Sequence, residues 1–309
     1  MNELAVGALP ISIGESIDVI EAFLAGRCIR TREAYRSDLE DFAKRAGASS
    51  IDAAASALLA HGHGSANHLA LKYRIALTEA GLAPASINRR LAALRSLVKL
   101  ARTLGLVPWS LEVTNVNSQP YRDTAGPGLP FMRKLLALAE SRQDAKGIRD
   151  TAILHLLCDL GLRRGEVVAI DLSDLDLPAG TVGVVGKGKL QKQKLTLPQP
   201  TAKALERWIE YRGLEPGPLF WNHDRAGKHG RLTGQGVARM VRALSSKLGR
   251  QVSPHGLRHT AITVALDLTG GDLRRVQRFS RHANIQTLTI YDDSRRDFGG
   301  EVAALVANA

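Results

Sequence analysis

Four short stretches in the second half of the chain hold residues suited to chemistry on a phosphate. The first is Gly161-Leu162-Arg163-Arg164-Gly165-Glu166, at the end of an apolar run. The second is Gly186-Lys187-Gly188-Lys189, between two strand-like runs. The third is His255-Gly256-Leu257-Arg258-His259, and the fourth begins at His282 and ends at Tyr291. An arginine presents a planar fork that grips two phosphate oxygens at once. A histidine gives or takes a proton near neutral pH. A lysine protonates a departing alkoxide, and a tyrosine hydroxyl is a nucleophile that forms a covalent intermediate. His255 and Arg258 stand one helical turn apart and share a face. Each stretch alone is ordinary surface chemistry; together they make a phosphoryl-transfer set.

These stretches need a scaffold. Pro108, Pro120, Gly126 and Pro127, with Asn, Ser and Thr between them, mark a linker. Beyond it, residues 129–141 and 149–160 have helical apolar periodicity, and 173–198 has strand chemistry around the turn Pro178-Ala179-Gly180. Helical patterns return at 200–211, 233–248, 256–268 and 272–279. Before the linker everything reads as helix. Ser12 to Glu15 has a capping-box pattern, followed by an apolar stripe of Ile13, Ile17, Ile20 and Leu24. Thr31 is placed to cap a helix from Arg32 to Arg45. Two Ala-rich helices, 51–59 and 67–80, follow, with Gly62 and Gly64 reading as a loop. A long helix then begins near Pro84, with Ile87, Leu91, Leu94, Val98 and Ala101 on one face. Its other face carries Arg89, Arg90, Arg95, Lys99 and Arg102, and we expect Arg89, Arg90, Arg95 and Lys99 to lie against the phosphates of a polyanionic partner. The expected fold is mainly α with a small antiparallel β-sheet. The expected divisions are a tail 1–11, an all-α domain 12–107, a linker 108–126, an α+β domain 127–295 and a tail 296–309.

Composition narrows the class. The 309 residues suit two domains of ordinary size, and 44% hydrophobic with 23% charged is a globular composition. Forty-two Lys and Arg against 30 Asp and Glu give +12, with most of the excess after residue 112. Such a surplus favours an anionic partner, nucleic acid above all. Apolar runs are too short to span a bilayer, and the N-terminus has no basic stretch ahead of an apolar one. Cys28 and Cys158 are the only cysteines, too few for a disulfide framework, so we expect a cytoplasmic protein, and the basic surplus makes it a nucleoid-associated one if its partner is DNA. His61, His63 and His68 cluster without a completing Cys or carboxylate, and no metal or other cofactor is expected. Gly186 to Gly188 is not a phosphate-binding loop of the Walker type, since Thr181 and Gly188 occupy two of its required positions.

The order of the four stretches resembles the tyrosine recombinase family, the phage integrases and Xer-type recombinases. Leu160-Gly161-Leu162-Arg163 with Glu166 is similar to the family's first arginine box, and Gly186-Lys187-Gly188 to its lysine hairpin. Ser253 to His259 is similar to its His-x-x-Arg box. Asp272-Leu273, Val276-Gln277, His282-Ala283-Asn284 and Tyr291 are similar to its last boxes. The resemblance covers Gly126 to Asp293, and more loosely the helices before the linker, which resemble the family's core-binding domain. It implies a clamp on duplex DNA and strand exchange through a covalent 3′-phosphotyrosine, with Arg163, Lys187, His255, Arg258, His282 and Tyr291 as the catalytic set. It also implies an inverted-repeat core site, a homotetramer on DNA, and room for a partner recombinase or accessory protein. In that scheme His255 accepts or relays the tyrosine proton and Lys187 protonates the leaving 5′-oxygen. Ionising a tyrosine of pKa ~10 at pH 7 costs about 4 kcal/mol. One positioned donor to a developing oxyanion is worth roughly 3 to 4 kcal/mol, so two arginines and a histidine outweigh that cost.

One departure stands out. Ser280 and Arg281 precede His282, where the family most often has Leu-Gly. Arg281 either adds a phosphate contact, together with Lys189, or alters local packing. The tail after Asp292 either caps its own domain or docks on a neighbouring subunit. Two rivals remain at this stage: a type IB topoisomerase-like DNA-relaxing enzyme and a non-catalytic DNA-binding relative.

Overall fold

The computed structural model describes residues 18–60, 62–117, 126–186, 191–223, 230–293 and 298–308. Two compact units divide between Tyr121 and Arg122. The first is all helix. Asp18 caps its first described helix, α1 (Val19–Ala25), by accepting from the N–H groups of Ile20 and Glu21. The cap expected at Ser12, with Ile13 and Ile17, lies outside the described residues. The next helix, α2 (Ile29–Arg45), starts a turn before its expected Thr31 cap, with Cys28 at the cap position and its Sγ 3.1 Å from Thr31 Oγ1. Thr31 is therefore inside the helix.

After α3 (Ile51–Ala60) comes α4 (Gly62–Glu79), which takes in Gly62 and Gly64. The loop expected there is helical; Ala66, Ala70, Tyr73 and Leu77 bury one face, and that packing overrides the weak helix propensity of glycine. Pro84 opens α5 (Pro84–Thr103), where its missing N–H costs nothing. Phe23, Leu39, Phe42, Leu58, Leu77, Leu91, Leu94 and Leu97 form the centre of this unit's core.

The stretch expected to be a linker belongs in part to the first unit. Val107, Leu111 and Val113 are buried in its core. Side chains of α4 and α5 hold the same strip by its backbone. Asn88 donates to Val116 O at 3.0 Å and accepts from Val116 N–H at 2.8 Å. Arg95 donates to Val113 O and to Asn115, and Arg74 to Thr114. Extended backbone with no sheet partner is thus satisfied by side chains.

The first described residue of the second unit is a glycine for a steric reason. Gly126 has φ 62°, and a Cβ there would collide with the Gly256 carbonyl and Thr260 Oγ1. Helices α6 (Leu129–Glu140) and α7 (Ala145–Cys158) follow, the latter buried along nearly its whole length. A short α8 (Arg164–Ala169) leads to a three-stranded antiparallel sheet in the order β1 (Leu175–Asp176), β2 (Thr181–Val185), β3 (Lys192–Thr196). Val182 lies opposite Leu175 on one side and Leu195 on the other, and Val182 and Val184 face the core. Helices α9 (Gln199–Arg212), α10 (Gly234–Ser246), α11 (Pro254–Leu268) and α12 (Leu273–Ser280) complete the body. Trp208 is fully buried and donates its indole N–H to Leu219 O. Two further helices, α13 (Gln286–Asp293) and α14 (Phe298–Ala307), were not anticipated from periodicity; both are short. Among the described residues no helix is long and apolar enough to cross a membrane.

Candidate active site

Short elements of the second unit bring Arg163, His255, Arg258, His282 and Tyr291 into one neighbourhood. Arg163 is the extended residue that caps α8. Its backbone N–H donates to Glu166 Oε2 at 2.9 Å, and its Nη1 donates to Glu166 Oε1 at 2.7 Å. Glu166, the third residue of the helix, thereby holds its own cap in place. The turn before it depends on Gly161, which has φ 56° and packs against the Phe279 ring, 3.3 Å from where a Cβ would stand.

Ser253 caps α11 by accepting from Gly256 N–H, and Pro254 sits at the helix start. That sets His255 and Arg258 on one face with His259 beside them. Arg258 is 1% exposed. Its guanidinium donates to the carbonyls of Gly161 and Ser280, and its Nη2 lies 3.5 Å from His282 Nε2. The same residue therefore ties the α7–α8 turn to the end of α12. The other ring nitrogen of His282, Nδ1, is 2.9 Å from Ser280 Oγ. A hydroxyl both gives and takes, so Ser280 supports either tautomer.

Tyr291 stands on α13 in a small apolar cluster with Ile262, Leu266, Val276 and Leu288 and is 5% exposed. Its ring stacks on His259 with centroids 5.0 Å apart and lies 6.3 Å from the His282 ring. The His259 ring in turn meets His255 edge-on at 4.1 Å. His282 thus stands between the Tyr291 ring and the Arg258 guanidinium.

The electrostatics are those of clustered cations. Arg163, Arg258 and Arg281 surround one carboxylate, Glu166. Burial and then the Arg163 and Arg281 charges push Arg258 below its ordinary value, although it stays cationic at neutral pH. Burial and then the Arg258, Arg163 and Arg281 charges push His282 down to about 4. Burial, Arg258, Arg163 and Arg164 lower His255 in the same direction. Glu166 is held below the usual carboxylate range: the Arg163 N–H bond and the Arg281 and Arg163 guanidiniums outweigh its burial. A phosphate group would relieve the mutual repulsion of these cations.

The phage integrase family model matches residues 132–297, more than half of the chain. A tyrosine recombinase of Synechococcus elongatus is 45% identical over 75% of this chain and 74% of its own length. A tyrosine recombinase of Synechocystis sp. is 37% identical over 96% of both chains. The chain belongs to the tyrosine recombinase family. The fold of the recombinase is likewise that of the Tn1549 transposon integrase in complex with transposon right end DNA, with a TM-score of 0.64 at 17% identity over 94% of this chain and 98% of that one.

The remaining expected site residues are placed as follows. Lys187 and Lys189 lie outside the described residues, in the connection between β2 and β3. Arg281, expected either at DNA phosphates or in local packing, makes its contacts within the second unit. Its side chain is 5% exposed and turned inward: Nη1 donates to Phe279 O at 2.8 Å, and Nη2 reaches Glu166 at 3.2 Å. Its donors in this arrangement go to the carbonyls of Phe279, Leu160 and Gly161 and to the Glu166 carboxylate. The basic face of α5 is also partly committed. Arg90 is 18% exposed between Asp38 and Asp41, Arg89 is bonded to Asp38, and Arg95 to the strip after α5. Lys99 is exposed. Sequence reading passed over His259 and Glu166 as site residues. The signal for each was spacing: His259 follows His255 by one turn, and Glu166 stands at the third position after a helix cap.

Proposed function

We propose that this recombinase cleaves and rejoins duplex DNA at a specific site through a 3′-phosphotyrosine formed on Tyr291. The observation that carries the reading is the grouping of Arg163, Arg258 and His282 around Glu166 and beside the Tyr291 ring. The scissile phosphodiester sits among Arg163, Arg258 and His282, whose donors stabilise the charge gained in the pentacoordinate transition state. The Tyr291 oxygen forms a bond to phosphorus as the bond to the 5′-oxygen breaks. The phenolic proton passes to His255, directly or by relay, and Lys187 gives a proton to the leaving 5′-oxygen. The reverse attack by a 5′-hydroxyl regenerates the tyrosine, so the bond energy is kept and no nucleotide is hydrolysed. Partial burial of His255 and the guanidiniums around it hold it neutral at pH 7, which suits a proton acceptor.

The substrate in this reading is a duplex with an inverted-repeat core, and four protomers act on two such duplexes because four strands are broken. A second recombinase or an accessory protein has a place in such an assembly. The site of action is the cytoplasm, at the nucleoid. Capture of covalent complexes tests the reading: wild type and Tyr291→Phe are incubated with genomic DNA of the source organism, denatured in SDS, and the bound fragments sequenced. Adducts in wild type alone, focused on an inverted repeat, are expected. Adducts that persist in Tyr291→Phe overturn the nucleophile. Scattered adducts without sequence focus indicate DNA relaxation instead.

A further inference from the structure

We infer that Arg281 is a positioning residue for Arg163, acting through the Glu166 carboxylate that the two arginines share. The inference rests on the function proposed above. Arg281 is the only non-glycine residue among those described with a left-handed backbone, φ 58° and ψ 36° at the end of α12. Glycine would hold that turn without strain, so the backbone does not call for arginine. The side chain supplies the reason. Nη1 donates to Phe279 O and Leu160 O, and Nη2 to Gly161 O and Glu166 Oε2. Three of these four acceptors belong to the turn and helix that carry Arg163.

The consequence falls on how Arg163 divides its donors. Glu166 has two oxygens. Arg281 engages Oε2, which also takes the Arg163 backbone N–H, while the Arg163 guanidinium reaches Oε1 through Nη1 alone. Without Arg281, an arginine beside a bare carboxylate closes on it with both arms of its fork. Arg163 would then spend two donors and most of its charge on Glu166. With Arg281 neutralising Glu166, Arg163 keeps the rest of its fork and its charge for a phosphate. Its side chain is 29% exposed, whereas that of Arg281 is enclosed. One arginine is thus presented and the other supports it.

The test uses a duplex recovered by the adduct capture above, nicked so that the cleaved strand diffuses away, with full-length protein in saturating excess. Arg281→Gly removes the guanidinium and relieves the left-handed strain. It is expected to form the Tyr291 adduct at least about tenfold more slowly, with DNA affinity within about twofold of wild type. In an Arg163→Ala background, Arg281→Gly is expected to slow the reaction no further, which a general loss of packing would not reproduce. If Arg281→Gly melts early, Arg281→Lys and Arg281→Gln make the comparison, charged against neutral, and only Lys is expected to retain most of the rate. Cleavage by Arg281→Gly at the wild-type rate overturns the inference, as does an equal loss in both backgrounds, or equal rates for Lys and Gln. A wild type that forms no adduct overturns the proposed function itself, so the two failures are distinct.

Discussion

Glu166 is the residue on which the site's construction turns. It is 4% exposed and accepts from two guanidiniums and one backbone N–H. Removing one member of a buried charge group costs about 3–5 kcal/mol, because the others are left unpaired. Glu166→Ala is therefore expected to lower the unfolding free energy of the second unit by that amount, read from urea denaturation. Protons act on the same cluster. Since the Glu166 carboxyl is held low in the fold, its contribution is present above the unfolded value of about 4.3 and lost as pH falls through the folded value. His282 adds to this loss at higher pH. Its folded value of about 4 lies below the unfolded ~6.5, so the unfolded chain binds more protons in that interval. Stability is expected to fall as pH drops from about 6.5 toward 4, and His282→Asn is expected to flatten that slope in a urea series at stepped pH.

At the scale of elements, α5 does two jobs with its two faces. Its apolar face, with Leu91, Leu94 and Leu97, fills the first unit's core. Its polar face binds α2 through Asp38 and Asp41, and binds the strip after α5 through Asn88 and Arg95. Asn88→Ala removes two hydrogen bonds to Val116 and leaves that backbone unsatisfied, a cost of roughly 1–3 kcal/mol. The expected result is faster proteolytic nicking between residues 113 and 121 while the helical signal in circular dichroism is unchanged. A second buried titrating group lies between α6 and α7. His155 contacts Asp159 at 2.8 Å and Glu140 at 3.2 Å, and the two carboxylates outweigh its burial and raise it above the usual histidine range. That contribution is complete below the unfolded value of about 6.5 and disappears as pH rises through the folded one. His155→Gln is expected to cost stability at pH 6 and much less at alkaline pH, as thermal melts in matched buffers would show.

The whole molecule is a basic chain of two units, each with a core of its own. Separate cores predict separable unfolding: residues 1–121 and 122–309 expressed apart are each expected to melt cooperatively. Charge predicts how the protein meets DNA. Counterion release makes affinity fall with salt, and 6–10 phosphate contacts correspond to about 10³–10⁵ in affinity between 50 and 200 mM. Titrations by fluorescence anisotropy at stepped salt measure the slope. Since Arg90, Arg95 and Arg281 are engaged inside the protein, Arg281→Gly is expected to leave the slope unchanged, whereas Lys99→Ala reduces it by about one phosphate equivalent.

That Arg163, His255, Arg258, His282 and Tyr291 belong together was legible in the sequence because each stands in a short local frame of its own. Helix periodicity and glycine stops located most of the elements for the same reason, since both are local. What depended on long-range packing was not legible. Gly62 and Gly64 are helical because Ala66, Ala70 and Tyr73 are buried nearby, and residues 107–116 are part of a core because Asn88 and Arg95 hold them. The partners of Arg281 lie up to 121 positions away in sequence. Whether an arginine faces phosphate or a carboxylate is decided by which turns the fold brings beside it; the sequence determined that the cations are present, and the tertiary structure decided which of them point outward.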